Sequence, residues 1–279
     1  MKTRILTALI ALPIVIAAII LPLWVPETVW LFVAIAGFAL AAGLFEFYSL
    51  TKKLELKGDA AIGYLGAGAL FAGFVFDAPA KAPDLLIASV GVIIIAVLIS
   101  QMFRFQKDFT KMLTGVGVTL LGVFYVAFLG GFLVATRVGF ETPSNLSTHL
   151  LAFFFLVIFG SDSGAYFAGR ALGKHKLAPG ISPGKTVEGL IGGIVAAAGF
   201  AAISTWWFFP ELPYKWSIPL AIVLAVVGVL GDLCESAMKR GSNTKDAASI
   251  LPGHGGLLDR LDSLLFGAPI LYYFARFYF

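Results

Sequence analysis

The feature that most constrains this chain is a series of long, uninterrupted apolar stretches. A helix that spans a bilayer needs about 20 consecutive and mostly apolar residues. Such stretches lie at residues 5–24, 28–49, 60–77, 85–103, 112–135, 148–168, 187–209, 217–236 and 261–278. Because the runs are continuous and do not alternate in polarity, they indicate helices and not a transmembrane barrel. We therefore predict an all-α polytopic membrane protein with about nine transmembrane helices.

Composition supports this class. Hydrophobic residues make up 59% of the 279 residues and charged residues 13%, whereas about a quarter of a soluble domain is charged. This balance excludes a soluble globular protein, a disordered chain and a nucleic-acid binder. The single cysteine, Cys234, cannot form an internal disulfide, and no cluster of Cys and His indicates zinc or redox chemistry. Without internal repeats or linkers, residues 1–279 are expected to form a single transmembrane domain.

The basic residues are distributed unequally between the two sides of the predicted spans. Sixteen of the twenty lysines and arginines fall on one side. The opposite side holds only Lys81, Arg137, Lys215 and Arg276. By the positive-inside rule the first side is cytoplasmic, as is the N-terminus. The long polar loops at about 169–186 and 237–260 then face the cytoplasm, and we expect the active site there. The short chain without an organellar transit peptide indicates a bacterial plasma (inner) membrane.

The two halves of the chain differ in polar content. We expect residues 1–147 to be mainly structural, with Glu46 packed or interfacial and Asp59 tolerant of substitution by Asn. Residues 148–279 are expected to carry the catalytic motifs. Acids inside or beside membrane spans are costly and mark functional sites. Seven of the sixteen acids lie in the C-terminal polar segments: Asp162, Glu188, Asp232, Glu235, Asp246, Asp259 and Asp262.

The first polar motif is GSDSGAYFAGR, at the end of the sixth predicted span. Helical spacing places Asp162, Tyr166 and Arg170 on one face. The small Gly160 and Gly164 allow another helix to approach closely. Helix packing with an interfacial arginine is the structural alternative, although it does not explain a carboxylate between two serines.

The loop that follows contains SPGKT and resembles a P-loop at Gly184, Lys185 and Thr186. A P-loop needs a glycine where Pro179 stands and a preceding strand, and we expect no strand here, so we reject a Walker A site. Ser182, Lys185 and Thr186 nevertheless precede the seventh span, whose first N–H groups favour an anion. An interfacial turn with a lysine at the lipid headgroups is the alternative.

The last two predicted spans carry acids where the loop between them begins and ends. Asp232, Glu235 and Lys239 follow one helical face, and Asp259 and Asp262 are one turn apart. Magnesium binds one or two carboxylates and leaves its remaining positions to water and phosphate oxygens. These helix ends could therefore hold a metal and a polyphosphate together. A structural network of ion pairs between helices is the alternative.

The segment SAMKRGSNTKDAASILPGHGGLLDRLD, residues 236–262, resembles the signature of the phosphatidate cytidylyltransferases, also called CDP-diacylglycerol synthases. That pattern reads S-x-x-K-R, four residues, K-D, and then P-x-H-G-G-x-x-D-R-x-D. SDSGAY-x-x-G-R and SPGKT-x-E-G are similar to other motifs of the family. The resemblance implies transfer of CMP from CTP to phosphatidic acid, which gives CDP-diacylglycerol and pyrophosphate. It further implies a homodimer and a divalent metal such as magnesium, aided by a monovalent cation such as potassium.

The residues of the motifs suit this chemistry. Phosphatidate carries a phosphate monoester that is largely a dianion at neutral pH, so the nucleophile needs no general base. Asp232 and Asp259 head the two helix-end motifs and are assigned to the metal, and Lys239 and Asp262 complete the catalytic set. The expected substrate-binding residues are Ser182, Lys185, Thr186, Glu188, Arg240, Lys245, Asp246, His254, Arg260 and Asp162.

Two other functions fit part of the pattern. A CTP-dependent lipid kinase would share the nucleotide site but would transfer the γ-phosphoryl group. A secondary transporter of an anionic substrate would also carry intramembrane acids, but near the bilayer midplane and with repeat symmetry. Here the polar groups cluster near the predicted cytoplasmic face. Labelled CTP distinguishes the three, because only the cytidylyltransferase places the α-phosphate in lipid.

Overall fold

The computed structural model describes residues 12–77, 83–106, 109–140, 145–242 and 256–279. Within these ranges the chain is mostly helical, and each predicted apolar stretch coincides with a helix. The helices are α1 (Leu12–Leu23), α2 (Val29–Lys53), α3 (Ala60–Phe76), α4 (Asp84–Arg104), α5 (Phe109–Gly139), α6 (Leu146–Leu172), α7 (Val187–Trp207), α8 (Tyr214–Gly241) and α9 (Leu258–Tyr278). A π-helical segment, Val123–Phe128, interrupts α5.

Length and composition decide which helices could cross a membrane. Six helices of the described ranges qualify, namely α2, α4, α5, α6, α7 and α8. The apolar helices α1 and α3 are shorter, and α9 begins with the charged residues Asp259, Arg260 and Asp262. A predominantly helical, multi-pass membrane protein is therefore confirmed, whereas the number of nine spans stays a prediction.

A β-hairpin lies between α6 and α7 and corrects the expectation of a loop without strands. Its strands are β1 (Lys176–Ala178) and β2 (Ser182–Thr186), antiparallel, with Lys176 opposite Thr186 and Ala178 opposite Ser182. A Pro-Gly pair supplies the turn chemistry between them. The SPGKT segment is itself the second strand and runs directly into α7. It therefore does not form the loop between strand and helix that a P-loop requires, and the rejection of a Walker A site stands.

Small residues bring α6 and α7 together, as the glycine pattern predicts. A Cβ atom on Gly164 would lie 2.9 Å from the carbonyl oxygen of Gly192. Gly160 likewise faces the ring of Phe200. The start of α7 is fixed by Thr186, whose hydroxyl oxygen accepts a hydrogen bond from Gly189 N at 3.1 Å. This N-cap sets where the hairpin ends and the helix begins.

Asp59 ties three helices together, and the near-neutral effect of Asp59→Asn on turnover stays a prediction. Its Oδ1 caps α3 by accepting a hydrogen bond from Ile62 N at 3.2 Å, and its Oδ2 accepts one from the Ser100 hydroxyl of α4. Its own backbone N donates to Thr119 Oγ1 of α5 at 2.8 Å. Burial acts to raise the pKa of Asp59, but these side-chain hydrogen bonds and the charge of Arg104 hold it below its ordinary value.

Candidate active site

Lys185 and Asp232 form an ion pair between β2 and α8. Lys185 Nζ lies 2.7 Å from Asp232 Oδ2, and it also donates to the carbonyl oxygen of Val229 at 3.4 Å. Ser236, one turn further along α8, donates to Asp232 Oδ1 at 3.3 Å. The hairpin therefore brings the SPGKT lysine to the polar end of α8, although the two residues are far apart in sequence.

Two more carboxylates lie within electrostatic range of this ion pair. Asp162 of α6 interacts electrostatically with Asp232, Lys185 and Arg260, and Asp262 of α9 interacts with Asp232, Asp162 and Lys185. Helices α8 and α9 meet closely here, because a Cβ on the α8 residue Gly231 would lie 2.5 Å from the Asp262 carbonyl oxygen. We name Asp162, Asp232, Asp262 and Lys185 the Asp232 cluster.

A second charged group lies where α8 ends and α9 begins. Lys239 Nζ lies 2.5 Å from both Glu235 Oε2 and Asp259 Oδ1. The Glu235 side chain is 1% exposed and the Asp259 side chain 16% exposed. Gly256 N donates to Asp259 Oδ2 at 3.2 Å. We name Glu235, Lys239 and Asp259 the Asp259 cluster, in which two carboxyl groups contact one ammonium group.

The hairpin is held in place by residues that the sequence assigned to substrate. Glu188 Oε2 accepts hydrogen bonds from Lys174 N at 3.1 Å and His175 N at 3.2 Å, and its Oε1 lies 2.6 Å from His175 Nδ1. Arg240 Nε donates to the carbonyl oxygen of Ile181 at 3.2 Å and joins the end of α8 to the hairpin turn. Glu188, together with the N-cap residue Thr186, therefore shapes the segment that carries Lys185.

The structure brings most of the described predicted residues to one end of the bundle. Asp232 and Asp259, the predicted metal ligands, are each paired with a different lysine. Ser182 begins β2 and is partly buried. The remaining predicted residues, Lys245, Asp246 and His254, lie outside the described residues.

Three buried residues of this region are absent from the predicted site. Glu46 of α2 accepts hydrogen bonds from the backbone at the start of α9. Its sequence signal is that it is an acid within an apolar span, where acids are costly and mark functional sites. The signal for Glu235 is that its spacing places it on the same helical face as Asp232. Tyr125 lies in the π-helical segment, is buried, and is within electrostatic range of Asp262, Glu235 and Asp232. Its apolar sequence context contains no signal that would have identified it.

The donor set fits a hard divalent cation. Within the described ranges no group of three or more Asp, Glu, His or Cys side chains converges as a complete metal site. Magnesium needs only one or two carboxylates when phosphate oxygens fill its other positions. Carboxyl oxygens of Glu235 and Asp259 both lie 2.5 Å from Lys239 Nζ, and Asp232 Oδ2 lies 2.7 Å from Lys185 Nζ, so each predicted ligand already faces one positive charge. The carboxylates Asp232 and Asp259 are therefore suitable ligands that lysines neutralise in this structure.

Comparison with known proteins agrees with these motifs. The model of the cytidylyltransferase family matches residues 2–278. A Bacillus subtilis (strain 168) protein named phosphatidate cytidylyltransferase is 35% identical over 284 residues, 98% of this chain and 97% of that protein. A protein of the same name from Haemophilus influenzae is 47% identical over 134 residues, 47% of this chain and 46% of its own length. One from Brucella suis biovar 1 is 41% identical over 171 residues, 61% of each chain. The chain belongs to the cytidylyltransferase family.

Proposed function

We propose that this protein is a phosphatidate cytidylyltransferase, which transfers CMP from CTP to phosphatidic acid in phospholipid biosynthesis. The observation that carries the proposal is similarity over nearly the whole chain to a protein of that name. The site supports it independently, because lysines and carboxylates from separate elements meet at one end of a bundle of apolar helices. Such a site can serve a water-soluble triphosphate and a lipid phosphate together.

The reaction joins two polyanions. A phosphate oxygen of phosphatidate attacks the α-phosphorus of CTP, and the bond from that phosphorus to the bridging oxygen of the β-phosphate breaks. Pyrophosphate leaves with the bond electrons, and CDP-diacylglycerol forms. The phosphate dianion needs no proton removed before it attacks. The protein must therefore position the phosphates and stabilise their negative charge.

The two lysines of the site can each move from a carboxylate to a phosphate group of the substrate. Lys185 lies within ion-pair distance of Asp232, and Lys239 lies within ion-pair distance of Asp259. When a triphosphate arrives, each ammonium can turn to a phosphate oxygen and release its carboxylate. Arg240 and Arg260 add positive charge around the same region. Asp162 and Asp262 interact with Lys185 and hold it near the nucleotide.

Asp232 and Asp259 are the residues we propose to hold magnesium, with Asp262 beside Asp232. A magnesium ion supplies neutralisation of the charge on the α-phosphate and on the leaving pyrophosphate. Lys185, Lys239 and the buried Glu235 are the charged or ionisable neighbours of these two carboxylates. We further propose that potassium, a monovalent cation, aids the divalent metal.

The proposal includes an orientation. The protein lies in a bacterial plasma membrane, with its active site and its N-terminus on the cytoplasmic side. All nine helices span the bilayer. The protein is a homodimer. Contacts within the chain support a single polar end of the bundle. Arg104 of α4 donates to the Gly58 carbonyl oxygen at 3.1 Å. Glu46 contacts α9, Lys185 contacts α8, and Lys239 joins α8 to α9. Most of the basic residues lie on this side of the predicted topology.

Labelled CTP tests the proposed reaction directly. Purified protein in detergent, with phosphatidate and magnesium, is expected to place the label of α-³²P-CTP in chloroform-extractable lipid. Lipid labelled instead from γ-³²P-CTP would indicate a lipid kinase and overturn the proposal. No lipid label from either nucleotide, with retained binding or uptake of an anion, would indicate a transporter.

A further inference from the structure

Glu46 is a fully buried carboxylate that the first half of the chain contributes to the polar end of the bundle. Its side chain lies on α2 and has 0% exposure. Oε1 accepts a hydrogen bond from Leu257 N at 2.9 Å, and Oε2 accepts one from Leu258 N at 2.7 Å. The first N–H groups of a helix have no acceptor within that helix. Glu46 therefore caps α9 from a different helix.

The packing around Glu46 fixes the position of this contact. A Cβ atom on Gly256 would lie only 2.8 Å from Glu46 Oε2, so the backbone approaches the carboxylate closely. Leu44 of α2 packs in one apolar cluster with Leu258 and Leu261 of α9. The start of α9 is thus held against α2 by hydrogen bonds and by apolar contacts together.

Asp259 follows immediately after the two capped residues. Its Oδ2 accepts a hydrogen bond from Gly256 N at 3.2 Å, and its Oδ1 lies 2.5 Å from Lys239 Nζ. The position of the Asp259 carboxylate therefore depends on where the first turn of α9 lies. An apolar side chain would pack α2 against α9 without the cost of burying a charge. A carboxylate at this place is explained better by the direction that its two charge-assisted hydrogen bonds impose.

We infer that Glu46 is a positioning residue, whose carboxylate holds the start of α9 so that Asp259 is presented to the divalent cation. This inference rests on the proposed function for the role of Asp259 as a metal ligand. The contact between Glu46 and α9 does not depend on that role. The two parts can therefore be tested separately.

The test uses full-length protein in detergent and the variant Glu46→Gln. The amide turns an NH₂ donor toward one of the two backbone N–H donors, so one of the two hydrogen bonds is lost. Mn²⁺ binding is titrated by the electron paramagnetic resonance signal of free Mn²⁺ at a fixed concentration of CTP and without lipid, and the Mn²⁺ bound by CTP alone is subtracted. Amide hydrogen exchange of residues 256–262 is measured by mass spectrometry on metal-free protein. Glu55→Gln, at an exposed position beyond the end of α2, is the matched control.

Substitution of a residue that orients a metal ligand typically costs about 10- to 100-fold in metal affinity. We expect Glu46→Gln to raise the Mn²⁺ dissociation constant about tenfold or more and to accelerate exchange at residues 256–262. Glu55→Gln should change neither. Wild-type exchange or a wild-type dissociation constant in Glu46→Gln would overturn the inference. If Glu46→Gln does not fold, Glu46→Asp is used, because its shorter carboxylate cannot reach both amides, and wild-type values there overturn the inference equally.

Asp259→Asn in the same titration separates the inference from the proposed function. Wild-type Mn²⁺ affinity in Asp259→Asn would overturn the metal role of Asp259, and the positioning role of Glu46 with it. Weakened binding in Asp259→Asn but wild-type binding in Glu46→Gln would overturn only the inference about Glu46.

Discussion

Replacing Lys239 with glutamine removes a cation that lies between two largely buried carboxylates. The Lys239 side chain is 15% exposed and contacts Glu235, at 1% exposure, and Asp259, at 16%. Removing one partner of a buried ion pair typically costs about 3–5 kcal/mol, because the remaining charge stays buried without compensation. An exposed pair is worth only about 0–1 kcal/mol. We therefore expect Lys239→Gln to lower the free energy of unfolding by about 3–5 kcal/mol.

A second substitution separates the structural role of Lys239 from its proposed role in binding triphosphate. Glu235→Gln combined with Lys239→Gln leaves Asp259 as the only ionisable side chain of the Asp259 cluster, with amide groups beside it that can donate hydrogen bonds to its carboxylate. We expect the double variant to recover most of the lost stability. It should not recover CMP transfer, because glutamine lacks the point charge that a triphosphate requires.

The assays are thermal unfolding in detergent, followed by tryptophan fluorescence, and incorporation of α-labelled CTP into lipid. Lys215→Gln is the matched control, since Lys215 is exposed at the opposite end of the same helix. Wild-type stability in Lys239→Gln would refute the reasoning about the buried ion pair. Wild-type CMP transfer in the double variant would show that Lys239 acts only in stability.

Three further predictions concern packing, capping and orientation. Gly164→Ala should lower the free energy of unfolding by about 1–3 kcal/mol, because it overpacks the contact between α6 and α7, and it should lower turnover. Gly199→Ala should be neutral, because its added Cβ meets nothing within 4 Å. Equal turnover and stability in the two variants would contradict this prediction. Asp59→Ala should destabilise the protein by about 1 kcal/mol at neutral pH. The folded-state pKa of Asp59 is lowered, so its contribution to stability is present above the unfolded-state pKa and is lost as pH falls through the folded-state pKa. The unfolding curves of the wild type and Asp59→Ala should therefore converge in acid. Gly180→Cys in a Cys234→Ser background should resist an impermeant thiol reagent in intact cells and react after permeabilisation; labelling of intact cells would reverse the proposed orientation.

Hydrophobic patterning predicted the helices well, because burial in lipid requires long apolar runs whose backbone is satisfied internally. The coincidence of nine predicted stretches with helices follows from this requirement. The β-hairpin was missed because its strands are too short for a recognisable alternation. The sequence did contain its Pro-Gly turn, but the flanking residues were interpreted as a loop.

The candidate site was predictable in its residue types and less so in its pairings. The motifs identified Lys185, Asp232, Lys239 and Asp259, but spacing along the chain cannot show which lysine pairs with which carboxylate. The pairing of Lys185 with Asp232 depends on the hairpin, which is a tertiary contact. Glu46 contacts residues more than two hundred positions away in the sequence. The free-energy cost of placing an acid inside an apolar span was therefore the only sequence signal that could have identified it.

The central proposal is that Asp232 and Asp259 act through one magnesium site during CMP transfer. The most direct measurement is turnover against magnesium concentration for Asp232→Asn, Asp259→Asn and the double variant, with the exposed Asp84→Asn as control. We expect each site variant to lose CMP transfer and the double variant to lose little more, since residues that act as a unit are strongly non-additive. Asp84→Asn should behave as wild type. Ordinary turnover with ordinary magnesium dependence in either site variant would contradict the proposal.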